Sequence, residues 1–311
     1  MNEIARINTT ELNRAGFSED LMARYIAYLD RSPKTVQSYT RALKPFFTYL
    51  AENGITAPTR DDVLAYKTQL KEGHKPSTVQ LYIVAVRLFF RWTEQEGIYK
   101  NVADHISGAK LDREHKKDYL TKEQLKIIMD NMGRTSSKDK RDYAIFCLML
   151  TGGLRTIEVI RANIEDLTTL GGNTIIYLQG KGKEEKAEYV KVQGHTEKAL
   201  REYIATREDI TPGAPLFTST SNNNTGGRLT TKTISGIIKE SFLLAGYNSD
   251  RLTAHSLRHT AVTLSLLAGN TLQEVQQFAR HSNIATTQIY AHNLDRANSQ
   301  CEASIERAVF M

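Results

Sequence analysis

One stretch of the chain is written twice. Pro33, Thr35, Val36, Gln37, Tyr39, Ala42, Phe46, Phe47, Gly54 and Ile55 recur as Pro76, Thr78, Val79, Gln80, Tyr82, Ala85, Phe89, Phe90, Gly97 and Ile98, at a constant offset and without a gap. Each copy places apolar and aromatic residues at helical spacing, with Ser or Thr near its start and Gly just past its end. Each therefore reads as a helix. Two copies are too few for a solenoid. They fit a compact bundle of two related helical pairs, the partners being a helix from about Ser18 carrying Leu21, Tyr25, Ile26 and Leu29, and a helix over RDDVLAYKTQLKEG. The aromatic stripe is expected to be core, not a base-stacking platform. The other faces carry Lys34, Arg41, Lys44, Lys75, Arg87 and Arg91, which meet either phosphates or only water.

Residues 107–119, SGAKLDREHKKDY, are highly charged and lack apolar periodicity, so they read as an interdomain linker suited to lie along DNA. A second domain opens at LTKEQLKIIMD, where Thr121 with Gln124 forms a capping-box pattern. DYAIFCLMLTGG is expected to be a buried helix. NTIIYLQG and KAEYVKV flank KGKEE as a hairpin. HTEKALREYIATRE, TTKTISGIIKESFLLAG, SLRHTAVTLSLLAG and TLQEVQQFAR are helical in period, STSNNNTGG is an exposed loop, and LDRANSQCEASIERAVF is a last short helix with Ile305, Ala308 and Val309 as its apolar contacts. The expected fold is mainly α with a small β-sheet (α+β) in the C-terminal domain.

The 311 residues suffice for two cores, and 40% hydrophobic with 24% charged residues is an ordinary globular composition. No apolar run is long enough to span a bilayer and the N-terminus lacks a secretory signal pattern, so a cytoplasmic protein is expected, without a membrane partner. Cys147 and Cys301 have neither each other nor histidines at metal-ligand spacing and read as structural. A net charge of +6 favours a polyanionic partner without identifying one.

Phosphodiester cleavage without a metal needs a hydroxyl nucleophile that forms a covalent intermediate. It also needs cations on the non-bridging oxygens, and an acid and a base for the two protons. The second domain offers this set in order. Arg155 lies in LMLTGGLRTIEVI, Lys181 in LQGKGKEEKAEYV, His255 and Arg258 in LTAHSLRHTAVT, and His281 in FARHSNIATTQIYAH with Tyr290 beyond it. Taken one at a time these residues have plain readings. Arg155 with Glu158 forms a structural ion pair, Lys181 competes with Lys183 and Lys186, and His259 and His292 are packing residues.

In these four stretches the chain resembles the tyrosine recombinase and phage integrase family, including its Xer and Cre branches, over about residues 18–300. The family carries an arginine in a T-G-x-R-x-x-E-like box, a lysine in a G-K-G β-turn, a His-x-x-Arg box and a final His…Tyr box. The resemblance implies that Tyr290 attacks the scissile phosphorus and is joined to the 3′ phosphate. Arg155 and Arg258 would clamp its oxygens and Lys181 would protonate the 5′ leaving group. His255 would be general base or phosphate donor, and His281 a phosphate donor. Tyrosine ionises near ~10, and the neighbouring cations are expected to activate it. The resemblance further implies a two-domain DNA clamp. Residues 1–106 would form a helical, SAM-like core-DNA-binding domain and 107–119 the basic linker. Residues 120–311 would form the catalytic domain, with 299–311 a helix exchanged between subunits or else packed on its own domain. Lys34, Thr35, Arg41, Lys44, Ser77, Thr78, Arg87 and Arg91 are the expected DNA contacts. The implied partners are double-stranded DNA with specific core sites and a homotetramer on two such sites, with or without accessory proteins; no cofactor is implied.

Two departures from the family pattern stand out. Ala279-Arg280-His281 replaces a common Leu-Gly-His, adding a charge that alters packing or contacts DNA. Ala254 replaces a common proline. The function expected is integration, excision, inversion or resolution of DNA, with a lean toward a mobile-element integrase. The alternatives are a type IB topoisomerase-like nicking and resealing enzyme, and a catalytically silent DNA-binding regulator.

Overall fold

The computed structural model describes residues 17, 19–110, 119–180, 182–297 and 301–310. The chain divides into two compact units, Met1–Asp112 and Arg113–Met311. Of the linker expected at 107–119, residues 111–118 lie outside the described residues, as does Lys181.

The described part of the first unit is helical: α1 (Glu19–Tyr28), α2 (Pro33–Glu52), α3 (Arg60–Gly73) and α4 (Pro76–Gln95). The duplicated sequence forms α2 and α4, which pack on each other. Both begin with proline, whose fixed φ suits the first helical turn and whose missing N–H costs nothing there. Ser32 caps α2 by accepting from the Thr35 N–H, and Thr59 with Asp62 closes a capping box on α3. Phe46, Phe47, Phe89 and Phe90 are wholly buried, so the aromatic stripe is core. Phe47 and Phe89 meet edge to face at 5.3 Å, and Tyr25 meets Phe89 the same way. Lys34, Arg41, Lys44, Ser77 and Arg91 are exposed, whereas Thr35, Thr78 and Arg87 are half-buried. The Thr35 hydroxyl is engaged with that of Ser32 at 2.9 Å, inside the helix cap.

The second unit is also mostly helical, with a small three-stranded antiparallel sheet. Helix α5 (Lys122–Asn131) carries the Thr121–Gln124 capping box. The buried helix α6 (Ser137–Thr151) starts earlier than DYAIFCLMLTGG suggests, because Ser136 and Asp139 form a capping box ahead of the apolar run. After α7 (Thr156–Arg161) come β1 (Leu167–Leu170), β2 (Asn173–Leu178) and β3 (Glu188–Lys191) in that spatial order. Strand β1 adds to the expected hairpin; it is short and mostly exposed, so no alternation announces it. The Gly171-Gly172 turn that joins it to β2 has positive φ at both residues, as a tight hairpin requires. Ile176, Leu178 and Val190 face the main core, which α6 crosses as its centre, with Ile145, Phe146 and Met149 fully buried. Helices α8 (Gly194–Ile204), α9 (Thr231–Leu244), α10 (Ala254–Leu267) and α11 (Leu272–Ala279) follow at the expected places.

Two expectations for the C-terminal part are corrected. Residues 294–297 belong to a longer helix, α12 (Ala285–Ala297), which carries Tyr290, while the tail helix α13 covers only Cys301–Phe310. Ile305, Ala308 and Val309 are exposed and do not serve as contacts within the unit. Cys147 is buried and free; the Cys301 side chain lies outside what is described.

Candidate active site

Arg155 is placed by a turn that only glycine tolerates. Helix α6 stops at Thr151, and Gly153 takes φ +57, where a Cβ would also press on the Phe278 ring at 3.1 Å. Leu154 then drops into the core and Arg155 becomes the N-cap of α7. Its backbone N–H donates to Glu158 Oε2 at 2.9 Å, and its Nη1 to Glu158 Oε1 at 2.7 Å. The ion pair read from the sequence is thus present. Glu158 is completely buried. Burial pushes its carboxyl up, but Arg280 and then the N–H and guanidinium of Arg155 outweigh that and hold it below the usual range.

Arg258 enters from α10 and is 1% exposed. Its Nη1 donates to the Gly153 carbonyl and its Nη2 to the Ala279 carbonyl, so it bridges the glycine turn to the end of α11. Burial, then repulsion from Arg155 and Arg280, pulls it down to about 9, which still leaves it protonated at neutral pH. The turn after α11 begins at Arg280, a non-glycine residue in left-handed conformation with φ +53. Such geometry costs an L-residue about 1–2 kcal/mol. Arg280 does not face solvent: its side chain is 4% exposed and donates to Glu158 Oε2 at 3.0 Å. Of the two expectations for this charge, altered packing is the one seen here, since the side chain turns to Glu158.

His281 follows, its Nδ1 within 2.9 Å of the Thr287 hydroxyl on α12. Thr287 is fully buried, and nothing in its sequence context marked it as a partner. Burial, then Arg258, Arg155, Arg280 and His255, lower His281 to about 4, so its imidazole is neutral at physiological pH. His255 itself is exposed on the first turn of α10.

Tyr290 projects from α12 into a small apolar cluster with Val262, Val275 and Ala279 and is 3% exposed. The His281 ring lies 6.2 Å away, nearly parallel, and the His259 ring meets Tyr290 edge-on at 4.7 Å. Burial raises the phenol's pKa; Arg258 and then Arg155 pull it down without reversing the shift. The expected activation is therefore outweighed by desolvation in this conformation. His259 is a buried packing residue, as read from the sequence, but His292 is exposed.

Beside this cluster opens a groove of about 750 Å³, lined among others by Arg155, Lys183, Tyr189, Gln276, Arg280 and His281. Exposed Lys183 reaches it from the β2–β3 connection, whereas Lys186 is held by Asp166 at 2.5 Å. Arg155, Arg258, His281 and Tyr290 thus gather in one place, with His255 close enough to act on His281. Lys181 lies outside the described residues.

The profile of the phage integrase family matches residues 118–297, and that of the family's N-terminal SAM-like domain matches residues 22–97. The chain belongs to the phage integrase family. Among its relatives in that family, the tyrosine recombinase XerC of Caldanaerobacter subterraneus subsp. tengcongensis is 32% identical over 196 residues, covering 62% of this chain and 52% of that protein. XerC of Pelobacter propionicus is 28% identical over 273 residues, covering 85% and 87%. The chain spans between 52% and 63% of the length of three curated relatives it matches, the Caldanaerobacter protein among them. The fold of this family member is similar to that of the XerH site-specific recombinase bound to palindromic difH substrate, with TM-score 0.74 and 22% identity over 94% of this chain and 87% of that one. A lambda integrase dimer bound to a COC′ core site gives TM-score 0.70 and 15% identity, covering 87% and 76%.

Proposed function

We propose that this chain breaks and rejoins DNA strands as a tyrosine site-specific recombinase, with Tyr290 as its nucleophile. The observation that carries the reading is the gathering of two guanidiniums and an imidazole around one phenol: Arg258 and Arg155 both act on the Tyr290 charge, and His281 lies alongside its ring. Helix packing alone does not call for three cationic or polar groups around a tyrosine in a small apolar cluster, because each must be desolvated.

In the proposed reaction Tyr290 Oη attacks the phosphorus of the scissile phosphodiester and its proton passes to His255. The bond to the 5′ oxygen breaks, and Lys181 protonates that oxygen, leaving a 5′ hydroxyl and a 3′-phosphotyrosine. Arg155 and Arg258 hold the non-bridging oxygens as charge grows on them, each a planar donor fork that stays charged. His281, neutral and oriented by Thr287, donates a hydrogen bond to the same phosphate. Attack by a 5′ hydroxyl from another strand reverses these steps and seals the exchanged junction. Because the phenol is 3% exposed, α12 must shift before it reaches a phosphate.

The partner in this reading is double-stranded DNA carrying core sites, bound by a SAM-like N-terminal domain (1–106, joined by 107–119) and by a catalytic domain (120–311). Its contacts include Lys34, Thr35, Arg41, Lys44, Ser77, Thr78, Arg87 and Arg91. XerH and lambda integrase were solved bound to DNA, which supports this partner. Four copies on two sites form the working assembly, with the exposed tail helix α13 as the element passed to a neighbour in a closed ring. The finer reading is a mobile-element integrase acting in the cytoplasm; among the described residues no helix is long and apolar enough to cross a membrane.

The test is capture of a covalent protein–DNA adduct on a nicked suicide substrate. Adduct with the wild type and none with Tyr290→Phe, at equal DNA binding, is the expected result. DNA binding without adduct at any site would leave a regulator. Relaxation of supercoils without strand exchange between two sites would indicate a nicking and resealing enzyme.

A further inference from the structure

We infer that Arg280 is a positioning residue for the reaction: by sharing the Glu158 carboxylate it keeps the Arg155 guanidinium available to a phosphate and preserves the positive charge of the site. The activity arm of this inference rests on the function proposed above; its geometry does not.

Arg280 occupies a backbone conformation that suits glycine, φ +53, and yet carries a long charged side chain that is 4% exposed. Its contacts run to the elements that bear the reacting groups. Nη2 donates to Glu158 Oε2 at 3.0 Å and to the Gly153 carbonyl at 3.0 Å, and Nη1 donates to the Phe278 carbonyl at 2.7 Å. Longer bonds of 3.3 Å from both Nη atoms reach the Gly152 carbonyl. The Gly153 carbonyl also receives Arg258, and the Arg280 carbonyl receives Arg155 Nη2 at 3.2 Å. One residue thereby joins the glycine turn that sets Arg155 to the α11–α12 turn that sets His281.

The charge arithmetic points the same way. Oε1 of Glu158 takes Arg155, while Oε2 takes Arg280 and the Arg155 N–H. With Arg280 present, Arg155, Arg280 and Glu158 together keep a net positive charge next to the groove. Without it, the buried carboxylate has Arg155 as its counter-charge, cancels it, and draws it away from a phosphate.

Two variants separate charge from backbone. Arg280→Gly removes the anchor but relieves the left-handed strain; Arg280→Lys keeps the charge and the strain. In single-turnover cleavage at saturating DNA, R280G is expected to fold, to bind DNA as the wild type does, and to cleave about 10- to 100-fold more slowly. R280K should fall between the two. An R280G variant that cleaves at the wild-type rate, an R280K variant slower than R280G, or an R280G variant that does not fold would each overturn the inference, the last by making Arg280 a structural strut. If the wild type itself forms no adduct, the proposed function fails, and a second readout decides this inference. NMR of arginine side chains should find rotation about the Arg155 Nε–Cζ bond slower in R280G than in the wild type, because Glu158 then has Arg155 as its counter-charge. Equal rotation in the two proteins would refute it.

Discussion

The His259 imidazole and the Tyr290 ring meet edge to face, with centroids 4.7 Å apart and planes at 67°. His259 also stacks on Tyr119 at 6.1 Å, and its Nδ1 meets the Thr263 hydroxyl at 3.1 Å. The proposed nucleophile is therefore sheltered by a residue that does no chemistry. An edge-on ring pair contributes about 0.5–1.5 kcal/mol beyond simple burial. Replacing His259 with Ala should lower stability by about 1–3 kcal/mol and loosen the phenol. Nitration of Tyr290 by tetranitromethane, followed by mass spectrometry, should accelerate in the variant; an unchanged rate would mean that the apolar cluster alone holds the ring.

Glu158 is the buried counter-charge for Arg155 and Arg280. Breaking a buried pair by removing one partner typically costs about 3–5 kcal/mol, because the charge left behind is uncompensated. Glu158→Gln keeps the shape, so a loss at or somewhat below that range is expected from urea denaturation. A midpoint equal to the wild type would show that the carboxylate contributes nothing net.

His281 titrates at about 4 in the folded protein, below its ordinary value of 6.5. Between those pH values the unfolded chain binds the proton more readily, so stability falls as pH drops from 6.5 toward 4. Protonation would place another cation beside Arg258, Arg155 and Arg280, which is why the folded form resists it. With part of the ring near solvent, the effect should be about 1–3 kcal/mol. His281→Asn should remove this portion of the pH dependence, as read from urea midpoints across the window. Parallel curves for the two proteins would remove the basis for a neutral His281.

Lys181 is proposed as the acid for the 5′ leaving oxygen, and Lys183 lines the groove nearby. A sulfur in place of that oxygen leaves without needing a proton. Lys181→Ala should cut cleavage of ordinary DNA by about 10²- to 10⁴-fold and recover on the sulfur-substituted strand. Lys183→Ala should lose much less and show no such recovery. Recovery confined to Lys183→Ala would move the role to that lysine.

The tail helix presents Ile305 and Val309 at 63% and 64% exposure. Changing both to Asp should leave the unfolding free energy of the isolated protein within the scatter expected of surface substitutions, about 0.5 kcal/mol. Two-site DNA complexes, measured by native gel or sedimentation, should weaken. A large loss of stability without DNA would place the helix on its own domain.

The order of the boxes around Arg155, His255, Arg258, His281 and Tyr290 was legible in the chain, and so were most helices, since caps and glycine stops are local signals. The duplication around Phe46 and Phe89 announced a bundle whose aromatic face is core, because period and composition decide burial in a helix. Strand β1 was not legible: it is short and exposed, and pairing across Gly171-Gly172 defines it. Nor was the helix that carries Tyr290. The sequence indicated which groups the proposed chemistry draws on. Tertiary structure alone decided their state: that desolvation outweighs the guanidiniums at Tyr290, and that Arg280 turns inward to Glu158 rather than outward. Charge and pattern are properties of the chain, but burial and partnership exist only once distant segments meet, and here they shift Glu158, Arg258, His281 and Tyr290.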